Sequence, residues 1–545
     1  TTTVRNGALA LIDHAKALMY LGDFGTGTQN ADEAIRLLES LRRRGDGSPA
    51  TRVALGTAYV TRCALLDFMG NPDGPDACRR AVAILRPLAE RPGATLAARR
   101  AYLETLTQIG FEGQYGGVYY ERSVRAARQA MHIASELGAK DFSDLEISAD
   151  YAQAGAWRVL TLAGHDRSRE VLRVGNEVLA VADGVLERRP WYRLALHAKE
   201  LTEEALAGAA AGEIDPREEM KFAVQGQQTA LALLQLDPNN VAPLYDFGTD
   251  LATAGDSLWA RGRLGEAIKW YGRSLAPWGK AAKELRGGFV GEIGFITTQM
   301  GYRQAVAGDP TGALRTAARD QRLIEPNPGV HEPPDSVKSL AVALEPQVME
   351  AEVTYERGDL AGASRLAAQA IDRLRVAKPV GYFQKLARAY LLYYSSTVYG
   401  RAEYRLGQFA AAEAAERIAL KQRKFLSPAA LSEMSNKRDS AEISTWLSMA
   451  LARQGQLHEA AQVIGPVVRF EQSLLARDHG DVWVPYELAR ALYAQSLSAP
   501  AQRNVLLRRA ATLLKGLPPR LQSLHDVREW RQRVSQTLPA PHGGA

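Results

Sequence analysis

The sequence predicts an all-α fold, a right-handed α-α superhelix of about ten or eleven helical hairpins with a C-terminal capping helix. Three observations carry this. The chain has 545 residues, several times a usual single core, so it is a set of domains or one repeat array. Glycine recurs in one phrase, as Ala-Gly164-His, Ala-Gly212-Glu, Arg-Gly262-Arg, Ala-Gly308-Asp, Arg-Gly358-Asp, Leu-Gly407-Gln and Gln-Gly455-Gln, at spacings of 48, 50, 46, 50, 49 and 48 residues. Five of these glycines are followed five residues later by alanine, at Ala267, Ala313, Ala363, Ala412 and Ala460. Around each, apolar residues fall at helical rather than strand spacing.

Composition narrows the class. Hydrophobic residues are 46% and charged residues 23%, near globular averages and against disorder. No apolar run is long enough to span a bilayer. Lys and Arg number 67 against 61 acids, and the resulting +6 is too thin over this length for a nucleic-acid-binding stripe. Two cysteines make neither a disulfide framework nor a Cys-rich metal module. The opening Thr1-Thr2-Thr3-Val4 has neither Met nor a signal pattern, so the native start is expected upstream.

The elements follow in order. Residues 1–140 read as irregular repeats: Leu21-Gly22-Asp23 with Ala34-Ile35 is one hairpin, Gly70 to Ala81 an expanded one, and Gly110 to Ala126 a third with a turn at Gly113, Gly116 and Gly117. Residues 141–325 are regular repeats. In one of them Leu251, Ala254, Gly255 and Leu258 stripe a first helix, and Ala267, Ile268, Tyr271 and Leu275 a second. The preceding helix stops at Asp237-Pro238-Asn239-Asn240, where proline bars continuation. Residues 326–336, from Pro326 and Pro328 to Pro333 and Pro334, are a Pro-rich inter-repeat loop. Repeats resume over 337–480. Residues 481–538 form the last hairpin and a cap that covers the open apolar end, and 539–545 a frayed tail.

The physics of the phrase is a helical hairpin. Glycine permits a tight, positive-φ turn, and alanine lets the second helix approach the first. With a small residue seven before each turn (Gly255, Gly301, Ala351, Gly400 and Ser448), and the closing Asp237-Pro238-Asn239-Asn240, the phrase resembles the tetratricopeptide repeat. It departs from that pattern at Leu251, where a large aromatic is usual, and in a period about 14 residues beyond the usual 34, which lengthens each helix by roughly two turns. Repeats of this length resemble the tails of bacterial multidomain signalling proteins, behind a serine/threonine kinase or a winged-helix domain.

The resemblance implies a non-catalytic scaffold that binds a protein or peptide, the docking or sensory tail of a larger signalling protein. Gly262, Gly308, Gly358, Gly407 and Gly455 are the structural turns. The partner groove, carried over through the small residue of each first helix, comprises Asp256, Trp259, Phe295, Tyr302, Glu352, Tyr355, Tyr394, Arg401, Tyr404 and Met449, with Glu442 beside them. Aromatics give large contact area with few rotors, and Arg adds directional bonds. The same tyrosines would equally serve as packing between repeats. Acidic groove positions argue against nucleic acid. The other reading is a small-molecule-binding regulatory solenoid, or an enzyme with a pocket inside the superhelix, with Gly287, Gly288, Gly291 and Gly294 admitting a ligand close to backbone.

Chemistry-bearing motifs are otherwise missing, so no enzyme activity, cofactor or metal is expected. Gly279-Lys280-Ala281 lacks the spacing and hydroxyl of a phosphate loop, and Gly25-Thr26-Gly27 is a broken dinucleotide fingerprint. The histidines, among them His14, His132, His165, His197, His331, His458 and His479, form no HExxH pair and are expected at turns, on the surface or satisfied in the core. Clusters such as Arg42-Arg43-Arg44 lie towards helix C-termini, where cations complement the dipole. Cys63 and Cys78 lie at comparable distances from one turn; two buried thiols are the expectation, a disulfide the other outcome. A cytoplasmic location is favoured, and an extracytoplasmic one stays open should a membrane span lie upstream.

Overall fold

The computed structural model describes residues 2–20, 23–68, 71, 73–112, 120–163, 167–238, 240–284, 300–324, 337–379, 381–423, 434–477 and 480–538. The Pro-rich segment 326–336, the tail 539–545, Phe295 and the glycines at 113, 116, 117, 164, 287, 288, 291 and 294 lie outside them. Among the described residues there is no strand, and no helix is long and apolar enough to cross a membrane.

The fold is all-α and tetratricopeptide-like, a succession of antiparallel helix pairs. Along the described residues the pairs begin with Thr2–Tyr20 and Phe24–Arg43 and end with Val484–Ser498 and Arg503–Lys515, after which His525–Thr537 forms a cap. Each pair turns on a local rule. Gly262, Gly308, Gly358, Gly407 and Gly455 adopt φ of +70°, +87°, +85°, +82° and +81°, a region that costs an L-residue roughly 1–2 kcal/mol. At the first of these turns the N–H of Gly262 donates to the Trp259 carbonyl and that of Arg263 to Leu258, both at 2.9 Å, which satisfies two orphan carbonyls of the ending helix. The alanines five residues on are buried, none more than 1% exposed. Close approach is enforced from both sides: a Cβ at Gly255 would lie 2.6 Å from Cε1 of Tyr271 on the partner helix.

One repeat departs from the phrase. Gly212 is the last residue of the Arg193–Gly212 helix, and the left-handed position falls two residues later on Ile214, at φ +61°. A β-branched residue is a genuine outlier there. Ile214 is held by burial against Leu474 and Val484, while Asp215 accepts from the N–H groups of Arg217 and Glu218 and so starts the next helix. Tertiary packing and the following cap, not the glycine, fix this turn.

The chain divides into two compact units. The first comprises residues 1–209, 221–250 and 283–288, and the second 210–220, 251–282 and 289–545. In the first, Ile12, Leu38, Leu55, Leu85, Leu103, Ile147 and Val178 belong to one continuous apolar core. That core contains Cys63 and Cys78, which are disulfide-bonded with Cα atoms 5.3 Å apart. The expectation of two free thiols is thereby corrected. Antiparallel helices Pro49–Phe68 and Gly74–Ala89 place the two residues opposite each other, inside the span a disulfide bridges. In the second unit the cap closes the core: Trp530 packs edge-on against Tyr493 at 5.4 Å and Trp446 at 5.6 Å.

Candidate functional site

Within the second unit, the first helix of each successive pair sends charged and aromatic side chains to one interior. Arg401, on Gly381–Arg405, bonds Glu352 at 3.1 Å and Glu356 at 3.4 Å, both on Val337–Glu356. Its guanidinium lies over the Tyr355 ring at 4.2 Å, and Arg405 lies over the same ring at 5.0 Å. One helix further, Glu442 on Met434–Arg453 bonds Arg490 on Val484–Ser498 at 2.9 Å. Arg438 of that helix pairs with Glu487 at 2.9 Å and Asp481 at 2.6 Å. Each pair joins opposite charges of neighbouring repeats, so the ladder stitches adjacent repeats. Burial pushes the carboxyls of Glu352 and Glu356 up, against the pull of Arg401. The Glu352 charge also raises Glu356, and Asp526 adds to the rise of both, while Arg405 joins Arg401 in lowering Glu356. Burial also acts on Glu442, but Arg490 and Arg401 outweigh it and hold that group below its usual range.

A second set of side chains keeps contact with water. Asp256 accepts from Tyr271 Oη at 2.7 Å and from Arg303, whose guanidinium lies 4.9 Å from the Tyr271 ring and 5.8 Å from that of Trp259. Trp259 stacks on Trp483 at 5.3 Å with planes 10° apart, and its carbonyl accepts from Trp483 Nε1 at 2.9 Å. Tyr302 and Tyr394 are half-buried. Tyr394 feels the charges of Asp439 and Arg303, and Tyr302 those of Glu442 and Arg401. The side chains of Asp256 and Asp439 are 44% and 43% exposed, yet burial raises both, Asp439 to about 6. These side chains therefore keep accessible surface while neighbouring protein desolvates their charged forms.

The structure therefore separates the residues that the sequence assigns to one groove. Glu352, Tyr355, Arg401, Tyr404 and Met449 are buried; Met449 is wholly inaccessible, and Tyr404 packs between Phe409 at 5.4 Å and Trp446 at 5.5 Å. None of these five is a surface anchor, because inter-repeat packing consumes them. Trp259, Asp256, Tyr302 and Tyr394 remain partly accessible, and Phe295 lies outside the described residues. Arg303, Asp439, Arg490 and Trp483 belong to the same interior and were not assigned to it from sequence. For Arg303 and Arg490 a signal existed: each carries the charge opposite to its ion-pair partner, with Arg303 lying 47 residues from Asp256 and Arg490 lying 48 from Glu442.

Among the described residues two clusters have donor sets suited to a metal, Cys63–Cys78–Glu112 and His197–Glu200–Asp246. The disulfide consumes both sulfurs of the first. The second lies in the first unit and has no counterpart in the sequence reading, where His197 is a core or surface residue and no metal is expected. Its helical signature is the His197-x-x-Glu200 spacing with Asp246 and Asp250 one turn apart on another helix.

No protein-family model and no curated protein sequence matches the chain. Solved structures that resemble it include the apo form of RapI, at TM-score 0.46 and 10% identity over 76% of this chain and 97% of RapI. Yeast Tom70 gives TM-score 0.33 and 14% identity, covering 92% of this chain and 98% of Tom70. The human IFIT1 dimer with m7Gppp-AAAA gives 0.37 and 11%, covering 88% of this chain and 89% of that one.

Proposed function

We propose that the chain is a non-catalytic scaffold that captures an extended peptide segment of a protein partner on the inner face of its second unit, as the docking or sensory part of a larger bacterial signalling protein. The observation that carries this reading is the water-accessible interior set of Trp259, Tyr302, Arg303 and Tyr394, with charges of both signs beside the rings. Half-buried rings offer rigid contact area, and paired charges of both signs suit the alternating donors and acceptors of a peptide backbone. Asp256 and Arg303 already satisfy each other, so the aromatic rings supply most of the affinity.

The test isolates peptides from a random-sequence library on the immobilised chain and measures their affinity by calorimetry. Tyr302→Ala and Tyr394→Ala are expected to weaken binding by about 1–3 kcal/mol each with little change in melting temperature. Tyr404→Ala, inside the core, is expected to lower the melting temperature. A peptide bound equally by the parent, Tyr302→Ala and Tyr394→Ala would overturn the assignment of the inner face.

A further inference from the structure

The first unit encloses an acidic cluster that nothing in the binding reading uses. His197, Glu200 and Glu204 lie on the Arg193–Gly212 helix, and Asp246 and Asp250 on Val241–Ala260. Glu200 is 0% exposed, Asp250 1% and Asp246 7%. As carboxylates, both oxygens of Glu200, both of Asp250 and Oδ2 of Asp246 have no hydrogen-bond donor; Glu200 and Asp246 stand within hydrogen-bond reach of each other, so that a proton on one would bridge them. Among the described residues no lysine or arginine forms an ion pair with these three groups, and the charges that act on them are one another, Glu204 and, for Asp250, Glu203. Packing makes room for them. A Cβ at Gly226 would lie 2.6 Å from both carboxylate oxygens of Asp250.

An enclosed carboxylate without a counter-charge costs several kcal/mol, and a neutral carboxyl without a hydrogen-bond partner is also costly. One shared proton between two of these groups satisfies at most two oxygens. A divalent cation neutralises two charges and satisfies several oxygens together. The cluster also contains the one residue type that an accidental crowd of acids lacks. A ring nitrogen of His197 and oxygens of Glu200 and Asp246 lie within 4.8 Å of one another. Bond lengths of 2.0–2.2 Å place tetrahedral donors about 3.4 Å apart, so an ion would draw in any pair of these donors that stands farther apart. His197 Nδ1 lies 3.1 Å from Oε1 of Gln153; with that carbonyl-type oxygen accepting, Nδ1 carries the proton and the ring offers its Nε2 lone pair. Trp157 holds the ring edge-on at 5.8 Å. A ligating histidine oriented by an acceptor on its other nitrogen is the usual outer-shell arrangement of a metal site.

We propose that His197, Glu200 and Asp246 bind one divalent first-row transition-metal ion, with Asp250 beside them as a further carboxylate donor and Gln153 as the positioning residue. One nitrogen with several carboxylate oxygens suits Zn²⁺ or Mn²⁺ better than Mg²⁺. The ion ties helix Arg193–Gly212 to the first half of Val241–Ala260 and so has a structural role.

The test uses the untagged full chain, stripped with chelator and held in non-reducing buffer so that the Cys63–Cys78 disulfide offers no thiolate. ZnCl₂, MnCl₂ and MgCl₂ are titrated by calorimetry, and melting is followed with and without each ion. One equivalent of Zn²⁺ or Mn²⁺ is expected to bind and raise the melting temperature. Glu200→Gln with Asp246→Asn removes binding and the metal-dependent shift, yet the stripped variant melts at or above the stripped parent because repulsion is relieved. Gln153→Ala, which alters no charge, weakens binding roughly 10–100-fold and gives an independent readout if the double variant fails to fold. Asp183→Asn, outside the cluster, leaves binding unchanged. Failure of the parent to bind a stoichiometric ion, or equal binding by the double variant or by Gln153→Ala, would overturn the proposal and leave the acids as a proton-sharing group.

Discussion

Replacing Arg401 by methionine tests whether the charged interior of the second unit is internal stitching or a binding surface. Methionine keeps much of the stem volume but removes the guanidinium that bonds Glu352 and Glu356 and covers the Tyr355 ring. Arg401 is 6% exposed and Glu352 4%, so solvent screening offers little relief. Breaking one partner of such a buried group costs about 3–5 kcal/mol, because uncompensated charge stays behind. For a unit of this size that is a fall in melting temperature of roughly 5–10 °C. The loss is pH-dependent. Without Arg401 the two carboxyls rise further above their unfolded values and retain protons that the unfolded chain has released. The parent already holds Glu356 up to about 8, so the gap between parent and variant between pH 5 and pH 8 opens through Glu352, as pH rises past that group's folded pKa, and through Glu356 only above that window. Adding Glu352→Gln and Glu356→Gln to Arg401→Met removes the orphaned charge and should recover most of the stability. Calorimetric melting of the three proteins at both pH values decides the matter. Superimposable melting of parent and Arg401→Met would refute the reasoning and return Arg401 to the groove.

Three further outcomes follow from the same packing. Cys63 and Cys78 should resist alkylation in the denatured chain until reduced, and Cys63→Ala with Cys78→Ala should cost about 3 kcal/mol, the loop-closure value for their separation of 15 residues; alkylation of the unreduced denatured chain would contradict the bond. Ala460→Arg, at a position with no accessible surface, should destabilise by on the order of 3 kcal/mol through overpacking and a buried charge, read by denaturant unfolding. Asp67, which accepts from Gln108 Nε2 at 2.9 Å, is raised by burial to about 7. Its folded pKa exceeds its unfolded value, so its stabilisation is complete below about pH 4 and lost as pH rises through about 7. Asp67→Asn should flatten the fall in stability over that window, and an unchanged pH profile would remove Asp67 as its source.

The fold was legible where a local rule leaves one residue type a choice. Positive φ at a turn demands glycine, and close helix approach demands alanine, so Gly407 and Ala412 mark a hairpin before any coordinate is known. Legibility ended where a distant contact outvotes the local rule. Gly212 carries the same phrase as the other glycines, but the burial of Ile214 against Leu474 and Val484 moves the turn two residues on. Cys63 and Cys78 are the intermediate case. Their placement about one turn suggested a meeting, while the general habit of buried cysteine pointed to thiols, and the pairing was decided by the separation of two helices.

The interior side chains show why helical periodicity places a residue on the inward face but does not say whether it remains accessible there. The period of about 48 residues lengthens each first helix by roughly two turns, which enlarges the inward face and brings more side chains of neighbouring repeats together. Opposite charges one period apart then meet: Glu352 and Arg401 are separated by 49 residues, Arg438 and Glu487 by 49, and Glu442 and Arg490 by 48. That relation is visible in the sequence, and it discriminates. An inward charge with its opposite one period on is consumed by its neighbour, because the pair gains Coulomb energy in a poorly solvated interior that a visiting ligand would have to replace. Asp256 and Arg303, 47 apart, are such a pair at a more hydrated position. Tyr302 and Tyr394 carry no charge for the ladder to consume and stay half-buried, Tyr394 with its ring edge-on to Tyr393 at 4.8 Å, and so the proposed binding rests on their remaining exposed area rather than on the charges.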